Sequence, residues 1–234
     1  LDRRWARNRV PARPNDANKG TFGRLLVLAG SPEYRGAAAL VARGAQRSGV
    51  GLVTLAAAND VVAAVAAQSP ETTFIPLGPA WPAAGAADAI LAGAGDFDVA
   101  VVGPGLSQRH GIKDCVLRLL ERWPAERPIV LDADALNALA GTADFPSRLP
   151  PRAVLTPHPG EMARLTSIPL AELQARRSTV ALDYARAWNT VVVLKGSNTV
   201  IAAGDGRLQL APFATAALAS AGTGDVLAGV IGSF

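Results

Sequence analysis

The chain has 234 residues, half of them hydrophobic, so it can bury one large core but is short for two compact domains. Residues 1–13 already carry a charge of +4, equal to the net charge of the whole chain, so residues 1–18 are expected to form a basic, solvated N-terminal segment; this uneven distribution argues against an extended nucleic-acid surface. One cysteine, no signal-like opening and no apolar run of about 18 residues predict a cytoplasmic protein without disulfides or a membrane span.

Six runs of Val, Leu and Ile are predicted to form strands. They are continuous rather than alternating, which is typical of strands buried on both faces of a parallel sheet. Helical stretches separate them, so the sequence predicts a three-layer α/β fold with a mainly parallel central sheet and helices on both faces. The strands are expected at 25–29, 52–56, 99–102, 129–131, 154–156 and 191–194, the helices at 37–48, 60–67, 112–123 and 171–188, and a hairpin at 200–203 and 207–210.

Small residues follow the first and third predicted strands. Ligands of open parallel sheets bind beyond the carboxyl ends of the strands, so these positions are candidates for a site. Gly30-Ser31 and Gly36-Ala37 would let a ligand approach the backbone, although a tight turn explains Gly30 equally well. The same two explanations apply to the stiff turn Gly103-Pro104-Gly105.

Two acidic residues, Asp132 and Asp134, follow the fourth predicted strand. Asp134 is explained as the N-cap of the next helix, as Asn59 is for an earlier one. Asp132 is therefore the better candidate for a polar site.

The fifth strand is followed by Thr156-Pro157-His158-Pro159-Gly160-Glu161, which frames a histidine between two prolines. A lone histidine is more often structural than functional, but the rigid backbone at His158 favours contact with a ligand. His110 has no such frame and is expected at the surface.

The sixth strand ends at Lys195-Gly196-Ser197-Asn198-Thr199. The chain has three lysines against twenty arginines, so a lysine at a strand end is unusual here. An ammonium with nearby hydroxyls suits the phosphates or ribose of a nucleotide, and a hairpin turn with an exposed lysine is the alternative.

A glycine-rich helix start, Ala221-Gly222-Thr223-Gly224-Asp225, lies near the end of the sequence. Its amides and helix dipole would attract an anion. Asp225 beside that anion is better explained as a base for a hydroxyl attacking a phosphoryl group than as a cap. Neither a P-loop nor a Gly-x-Gly-x-x-Gly motif after a strand occurs, so a nucleotide would have to bind in another way.

Six ordered motifs resemble the ADP- or ATP-dependent NAD(P)H-hydrate dehydratases of the ribokinase-like superfamily, across nearly the whole chain. Such enzymes restore NADH or NADPH that has been hydrated at C6 of the nicotinamide ring, and they consume ADP or ATP. The motifs are Lys19-Gly20-Thr21-Phe22-Gly23, Gly103-Pro104-Gly105-Leu106, Asp132-Ala133-Asp134-Ala135-Leu136-Asn137, Thr156 to Glu161, Lys195-Gly196 and Ala221 to Asp225.

The resemblance implies roles for residues in and near four of these motifs. Asp225 would deprotonate the C6 hydroxyl, the amides of Gly222, Thr223 and Gly224 would hold the developing charge, and the ring nitrogen would then expel phosphate. Mg²⁺ is expected to bridge the phosphates, with ligands that the sequence does not identify. The residues implied to contact the nucleotide are Lys195, Gly196, Ser197, Asn198, Thr199 and Gly224, and those implied to contact the hydrated dinucleotide are Ala37, Gly105, His158 and Asp225.

Two features depart from the family pattern. Phe213-Ala214-Thr215 stands where relatives often carry a Gly-Asn-Pro-like stretch, and the sequence stops at Phe234 inside the predicted final helix. We therefore expect a single domain cut short at its C-terminus, or a piece of a longer fusion with an NAD(P)H-hydrate epimerase. The family implies a homo-oligomer, and the bacterial composition favours ADP as the donor.

Two alternatives remain at this point. A small-molecule kinase of the same superfamily, acting on a vitamin precursor or a sugar, would use the same anion site and aspartate. The Thr156 to Glu161 motif combined with the Gly103-Pro104-Gly105 turn favours the dehydratase. A non-catalytic nucleotide sensor, or a partner domain of a fused cofactor-repair protein, would keep the Lys195 and Gly222 region but tolerate the loss of Asp225.

Overall fold

The computed structural model describes residues 3–79, 81 and 85–234, so Leu1 and Asp2 of the predicted basic segment lie outside the described residues. Nine strands occur in that part of the chain: β1 (Arg24–Leu28), β2 (Leu52–Ala57), β3 (Thr73–Pro76), β4 (Val99–Val102), β5 (Ile129–Leu131), β6 (Ala153–Leu155), β7 (Val191–Leu194), β8 (Val200–Ala203) and β9 (Leu208–Leu210). They form one sheet in the order β3-β2-β1-β4-β5-β6-β7-β8-β9. Strands β1 to β7 are parallel, and β8 is antiparallel to both of its neighbours.

The helices pack in two groups. The α-helices of the described residues are α1 (Arg3–Arg7), α2 (Arg35–Ser48), α3 (Asn59–Ala66), α4 (Ala86–Leu91), α5 (Ile112–Arg122), α6 (Asp134–Leu139), α7 (Phe145–Arg148), α8 (Pro159–Thr166), α9 (Leu170–Ala175), α10 (Arg177–Ala187) and α11 (Thr223–Gly232). Helix α2 contacts α3 and α11, whereas a second chain of contacts runs from α4 through α5, α6, α8 and α9 to α10.

Both faces of the sheet are covered. Leu25, Leu26, Val27 and Leu28 of β1 are all fully buried, although successive side chains of a strand point to opposite faces. This burial explains why the strands appear as continuous apolar runs in the sequence. The predicted three-layer α/β fold with a mainly parallel sheet is confirmed.

Local structure differs from the predictions in three places. The helix expected at 171–188 is two helices, because Arg176 between them has φ −137 and ψ 41, outside the helical region. Strand β3 was not predicted, since it is a four-residue edge strand that ends in a proline. Asn59 and Asp134 are the first residues of α3 and α6 rather than their N-caps.

The strand order defines where a ligand can enter. The direction of strand order reverses between β1 and β4, and such a switch point opens a crevice at the carboxyl ends of the strands. The loops after these two strands are joined there, because the Gly30 amide donates to the Pro104 carbonyl at 2.8 Å. The glycine turns predicted after both strands therefore meet at the crevice.

Helix α11 is held close to α2 by two glycines. A Cβ on Gly229 would lie 2.2 Å from the Val41 carbonyl oxygen, and one on Gly44 would lie 2.6 Å from the Val226 carbonyl oxygen. Only residues without a side chain allow this backbone approach. The position of the α11 N-terminus is therefore set by packing on α2.

Residues 4–18 are mostly exposed, and the Arg13 side chain contacts residues outside this segment. The Arg13 guanidinium lies 3.6 Å from the centre of the Phe22 ring and donates to the Gly49 carbonyl at 2.8 Å. In the described residues, we find no helix with the length and apolar character that a membrane span requires.

Candidate active site

Two carboxylates are buried at the carboxyl edge of the sheet. In the described part of the chain, Asp132 and Glu161 are the only charged residues that are buried, with 1% and 4% of their surface exposed. The Lys195 ammonium lies 2.5 Å from Asp132 Oδ1 and 3.9 Å from Glu161 Oε2. Thr156 also donates its hydroxyl to Asp132 Oδ1, at 2.8 Å. Lys195 and the Thr156 hydroxyl thus compensate the buried charge of Asp132, and the same lysine lies near Glu161.

The sheet explains why these residues meet. Asp132, Thr156 and Lys195 directly follow β5, β6 and β7, which are adjacent and parallel. The Asp132 amide donates to Val102, the Thr156 amide to Leu131 and the Lys195 amide to Pro157, so each loop leaves its strand in register. The three side chains therefore reach the same edge.

His158 is the N-cap of α8 and makes a capping box with Glu161. His158 Nδ1 accepts from the Gly160 and Glu161 amides, at 3.0 and 3.3 Å, and Glu161 Oε2 accepts from the His158 amide at 2.7 Å. Burial raises the pKa of Glu161 to about 6. Burial, together with Lys195 and Arg164, lowers the pKa of His158 from its usual 6.5. The imidazole is thus kept neutral and accepts with Nδ1.

The start of α11 presents amides without a side-chain cap. Its N-cap, Gly222, has φ +87, and a Cβ there would lie 2.5 Å from Leu40 Cδ1 on α2. The Thr223 hydroxyl donates to the Leu218 and Ser220 carbonyls, at 3.0 and 2.7 Å, and so holds the preceding loop. Thr223 can therefore serve an anion through its amide rather than its hydroxyl.

Asp225 and Gly224 bring this helix start to the Lys195 cluster. A Cβ on Gly224 would lie 3.5 Å from Lys195 Nζ and 3.9 Å from Asp132 Oδ2. Burial and the negative charge of Asp132 raise the pKa of Asp225 to about 6, against the opposing effect of Lys195. The Asp225 carboxylate is consequently a stronger base than an exposed aspartate.

The predicted hydrate-binding residues Ala37 and Gly105 lie together at the switch point. Gly105 has φ +64, and a Cβ there would lie 2.7 Å from Ala37 Cβ and 2.8 Å from Tyr34 Cβ. The loop is also held from the other side, because the Ser107 amide donates to Asp134 Oδ2 at 2.8 Å. Asp134 thus fixes the Gly105 loop instead of capping α6.

The predicted nucleotide loop is stiffened by its own side chains. Thr199 donates its hydroxyl to the Gly196 carbonyl at 3.1 Å, and the Asn198 side-chain amide donates to the Ala211 carbonyl at 3.2 Å. Ser197 is exposed. A bound nucleotide would therefore meet Lys195, Ser197 and the backbone of this loop more readily than the Asn198 and Thr199 side chains.

The predicted residues thus fall into three neighbouring groups. Lys195, Gly224, Asp225 and His158 surround the buried carboxylates, Ala37 and Gly105 line the switch point, and residues 196–199 form the turn after β7. Glu161 had no role assigned from the sequence, although the His-x-x-Glu spacing before an apolar run indicates a capping box. Tyr34 and Arg177 were missed, and no sequence signal marks them.

The arrangement combines an anion-binding helix start, a lysine and a carboxylate base. These are the parts needed to activate a hydroxyl and to hold the phosphoryl group that it attacks. The described residues contain no group of three or more His, Cys, Asp or Glu side chains that could hold a metal ion by themselves.

Comparison with known proteins identifies similar chains. A family model described as NAD(P)H-hydrate dehydratase matches residues 25–234. A bifunctional NAD(P)H-hydrate repair enzyme from Moorella thermoacetica is 42% identical over 231 residues, which are 97% of this chain and 43% of that relative. The ADP-dependent (S)-NAD(P)H-hydrate dehydratase of Bacillus subtilis is 40% identical over 95% of this chain and 75% of its own length. The chain thus spans less than half the length of the bifunctional relative.

Solved structures show the same fold. The ADP/ATP-dependent NAD(P)H-hydrate dehydratase from Bacillus subtilis, co-crystallised with ATP and Mg²⁺, matches with a TM-score of 0.80 at 36% identity over 98% of this chain and 79% of that one. A ribokinase-like superfamily protein from Enterococcus faecalis matches with a TM-score of 0.88 over 100% of this chain and 78% of that one. Its 24% identity shows the fold alone.

Proposed function

The chain belongs to the NAD(P)H-hydrate dehydratase family, and on that premise we propose that it is an ADP- or ATP-dependent hydro-lyase acting on hydrated NADH and NADPH. The family and the ribokinase-like fold predicted from the sequence motifs are confirmed. The small-molecule kinase considered above is not favoured by this membership.

One observation carries the proposal. Asp225, a carboxylate with a pKa of about 6, stands in the first turn of α11 close to Lys195 and to uncapped amides. A base of that pKa is ionised at neutral pH and is still basic enough to accept a proton from an attacking hydroxyl. The same turn supports the phosphoryl group under attack.

The first step forms a phosphate ester at C6. Asp225 takes the proton of the C6 hydroxyl while the hydroxyl oxygen attacks the terminal phosphoryl group of ADP or ATP, and AMP or ADP leaves. The amides of Gly222, Thr223 and Gly224 and the Lys195 ammonium balance the charge that builds on the phosphoryl oxygens. Ala37 and Gly105 at the switch point, together with His158 beside the buried carboxylates, would hold the dinucleotide.

The second step breaks the C6–O bond. The lone pair of the ring nitrogen expels phosphate, which leaves far more readily than hydroxide, and loss of a proton from C5 restores the C5–C6 double bond. The oxygen of the hydrate therefore ends in inorganic phosphate. Asp225 returns its proton to solvent before the next turnover.

Mg²⁺ fits this site as a companion of the nucleotide. Mg²⁺ commonly keeps several waters and binds through substrate phosphates with one or two carboxylates, so a dedicated protein cage is not required. Asp132 and Glu161 place two carboxylates at this site. When bound, the ion would neutralise phosphate charge during transfer.

The experiment is an assay of purified protein with hydrated NADH in the presence of ADP, ATP or neither. We expect the near-ultraviolet absorbance of the dihydronicotinamide to recover only with a nucleotide, with one phosphate released for each NADH formed. Hydrate labelled with heavy oxygen at C6 should give labelled phosphate. A stable phosphorylated product, or recovery without nucleotide, would overturn the proposal.

The proposal also covers the phosphoryl donor, the location and the partners of the protein. We expect ADP to be preferred over ATP, as the name of the Bacillus subtilis relative suggests. A cytoplasmic homo-oligomer working with an NAD(P)H-hydrate epimerase fits a family in which some relatives are named bifunctional repair enzymes. Competition between hydrated NADH and hydrated NADPH in the same assay measures the substrate preference.

A further inference from the structure

The side chain of Arg177, the first residue of α10, binds the backbone of the loop that follows β7. Its Nη1 donates to the Ser197 carbonyl at 2.8 Å, and its Nη2 donates to the Leu194 and Lys195 carbonyls at 3.1 and 3.0 Å. One guanidinium thus binds three carbonyl groups within four residues. The contact fixes how the chain leaves β7.

The loop is shaped around this guanidinium. Gly196 has φ +145, and a Cβ there would lie 2.7 Å from Arg177 Nη2. Only glycine combines that backbone conformation with this close approach. The Arg177 contacts with this loop therefore require glycine at position 196.

The charge of Arg177 has no carboxylate partner. Across the described residues, no Asp or Glu lies within ion-pair distance of it, whereas ten other pairs link an arginine to a carboxylate. Its Nε is buried and makes no hydrogen bond. A half-buried positive charge that only carbonyl dipoles compensate attracts an anion to the loop.

We propose that Arg177 is a positioning residue for the nucleotide: it turns the carbonyls of Leu194, Lys195 and Ser197 inward and lends the loop a positive charge. The Lys195 ammonium and the outward face of the loop are then left for the phosphates of a nucleoside di- or triphosphate. This inference rests on the proposed function only in taking residues 195–199 as the nucleotide loop.

An arginine is required for this arrangement. The planar guanidinium offers five donors in a fixed fork, whereas a lysine ammonium is a single point that can reach fewer of the three carbonyls. Arg177→Lys should therefore keep the positive charge but lose most of the hydrogen bonds to the three carbonyls. Arg177→Met loses both and keeps the apolar stem.

The test measures ADP binding by calorimetry and turnover of the hydrate for the wild type, Arg177→Met, Arg177→Lys and the control Arg176→Met. Arg176 is the neighbouring arginine, but its side chain pairs with Glu172 on α9. We expect Arg177→Met to raise the Kd and KM for ADP about tenfold or more, with kcat at saturating ADP within about twofold. Arg177→Lys should lie between it and the wild type, and Arg176→Met should match the wild type.

Three results would overturn the inference: an unchanged Kd for ADP in Arg177→Met, an equal effect of Arg176→Met, or an equal rise in the KM for the hydrate. If Arg177→Met does not fold, an unchanged Kd in folded Arg177→Lys also overturns it. Binding is measured without the hydrate, so a wild type that binds ADP but leaves the hydrate unchanged refutes the proposed function alone.

Discussion

Lys195 Nζ lies 2.5 Å from Oδ1 of Asp132, a residue 63 positions earlier in the chain. The Asp132 side chain is 2% exposed and that of Lys195 is 17% exposed, so neither charge is well solvated. Removing one partner leaves the other charge buried without compensation, which costs more than removing both. The pair therefore links the stability of the fold to the site.

Lys195→Met should destabilise the protein by about 3 kcal/mol, because Asp132 and Glu161 then remain buried without their cation. The double variant Asp132→Asn with Lys195→Met should recover part of that loss. Urea unfolding of both variants and of the wild type measures the free energies of unfolding. A Lys195→Met protein as stable as the wild type would show that Asp132 and Glu161 do not need this lysine.

Asp225→Asn should lower kcat by about 100-fold to 10,000-fold, since the base is lost while the shape of the side chain is kept. ADP binding should be retained, because the amides of α11 and Lys195 are untouched. The matched control is Asp205→Asn, which changes an exposed aspartate in the hairpin that pairs with Arg207. Activity of Asp225→Asn near that of the control would exclude Asp225 as the base.

The sequence predicted which loops form the site, but not every residue in it. The strand-end positions of Asp132, Thr156 and Lys195 are evident from the apolar runs, and the carboxyl ends of parallel strands share one edge. That the three follow adjacent strands depends on the strand order, which no local pattern encodes. The buried ion pair between Asp132 and Lys195 therefore cannot be predicted from the sequence.

Other contributions depend on tertiary contacts. The sequence predicts one long helix at 171–188 and gives no sign of the break at Arg176. Because of that break, α10 begins at Arg177, whose side chain binds the loop after β7. Asp134 has the spacing of an N-cap, yet its carboxylate serves Ser107 in a different loop. Local propensity explains where elements form, whereas these long-range hydrogen bonds decide what the side chains do.

The pH dependence should show an acid limb near pH 6. The pKa values of Asp225 and Glu161 are each about 6, and Asp225 must be ionised to act as a base, so kcat/KM should fall as the pH drops below 6. Glu161→Gln removes one of the two ionisations and should leave the limb in place with a slope near one. Disappearance of the limb in that variant would assign it to Glu161 instead.

Stability should change in the opposite direction over the same pH range. The folded protein keeps these two protons at pH values where the unfolded chain, with its usual pKa values of 3.8 and 4.5, has lost them. Their contribution to stability is therefore fully present below about pH 3.8 and is lost as the pH rises through about 6. Urea unfolding of the wild type and Glu161→Gln at several pH values isolates the Glu161 share.

His158 should have separable structural and binding roles. His158→Ala removes the Nδ1 acceptor of the α8 cap and should cost about 1 kcal/mol, whereas His158→Asn can cap the same amides and should cost less. Both variants should raise the KM for the hydrate and leave the KM for ADP unchanged. Equal loss of stability in the two variants would contradict the capping role.

Acid should weaken the same cap. Protonation of Nδ1 removes the acceptor, and the pKa of folded His158 lies below its usual 6.5, so the contribution of the cap to stability is lost as the pH falls below that value. His158→Asn should not show this loss. Unfolding measured above and below the usual histidine pKa compares the two proteins.

Gly105→Ala should close the crevice at the switch point. The new Cβ would lie 2.7 Å from Ala37 Cβ and 2.8 Å from Tyr34 Cβ, so the loop or α2 must move where the hydrated dinucleotide is proposed to bind.

Gly141→Ala is the control, since Gly141 has φ +77 but no atom within 4 Å of its Cβ position. Both variants place alanine in the left-handed region at a cost of about 1 kcal/mol. Only Gly105→Ala should raise the KM for the hydrate, by about tenfold or more, with ADP binding unchanged. Equal kinetics in the two variants would show that the space beside Ala37 and Tyr34 does not receive the substrate.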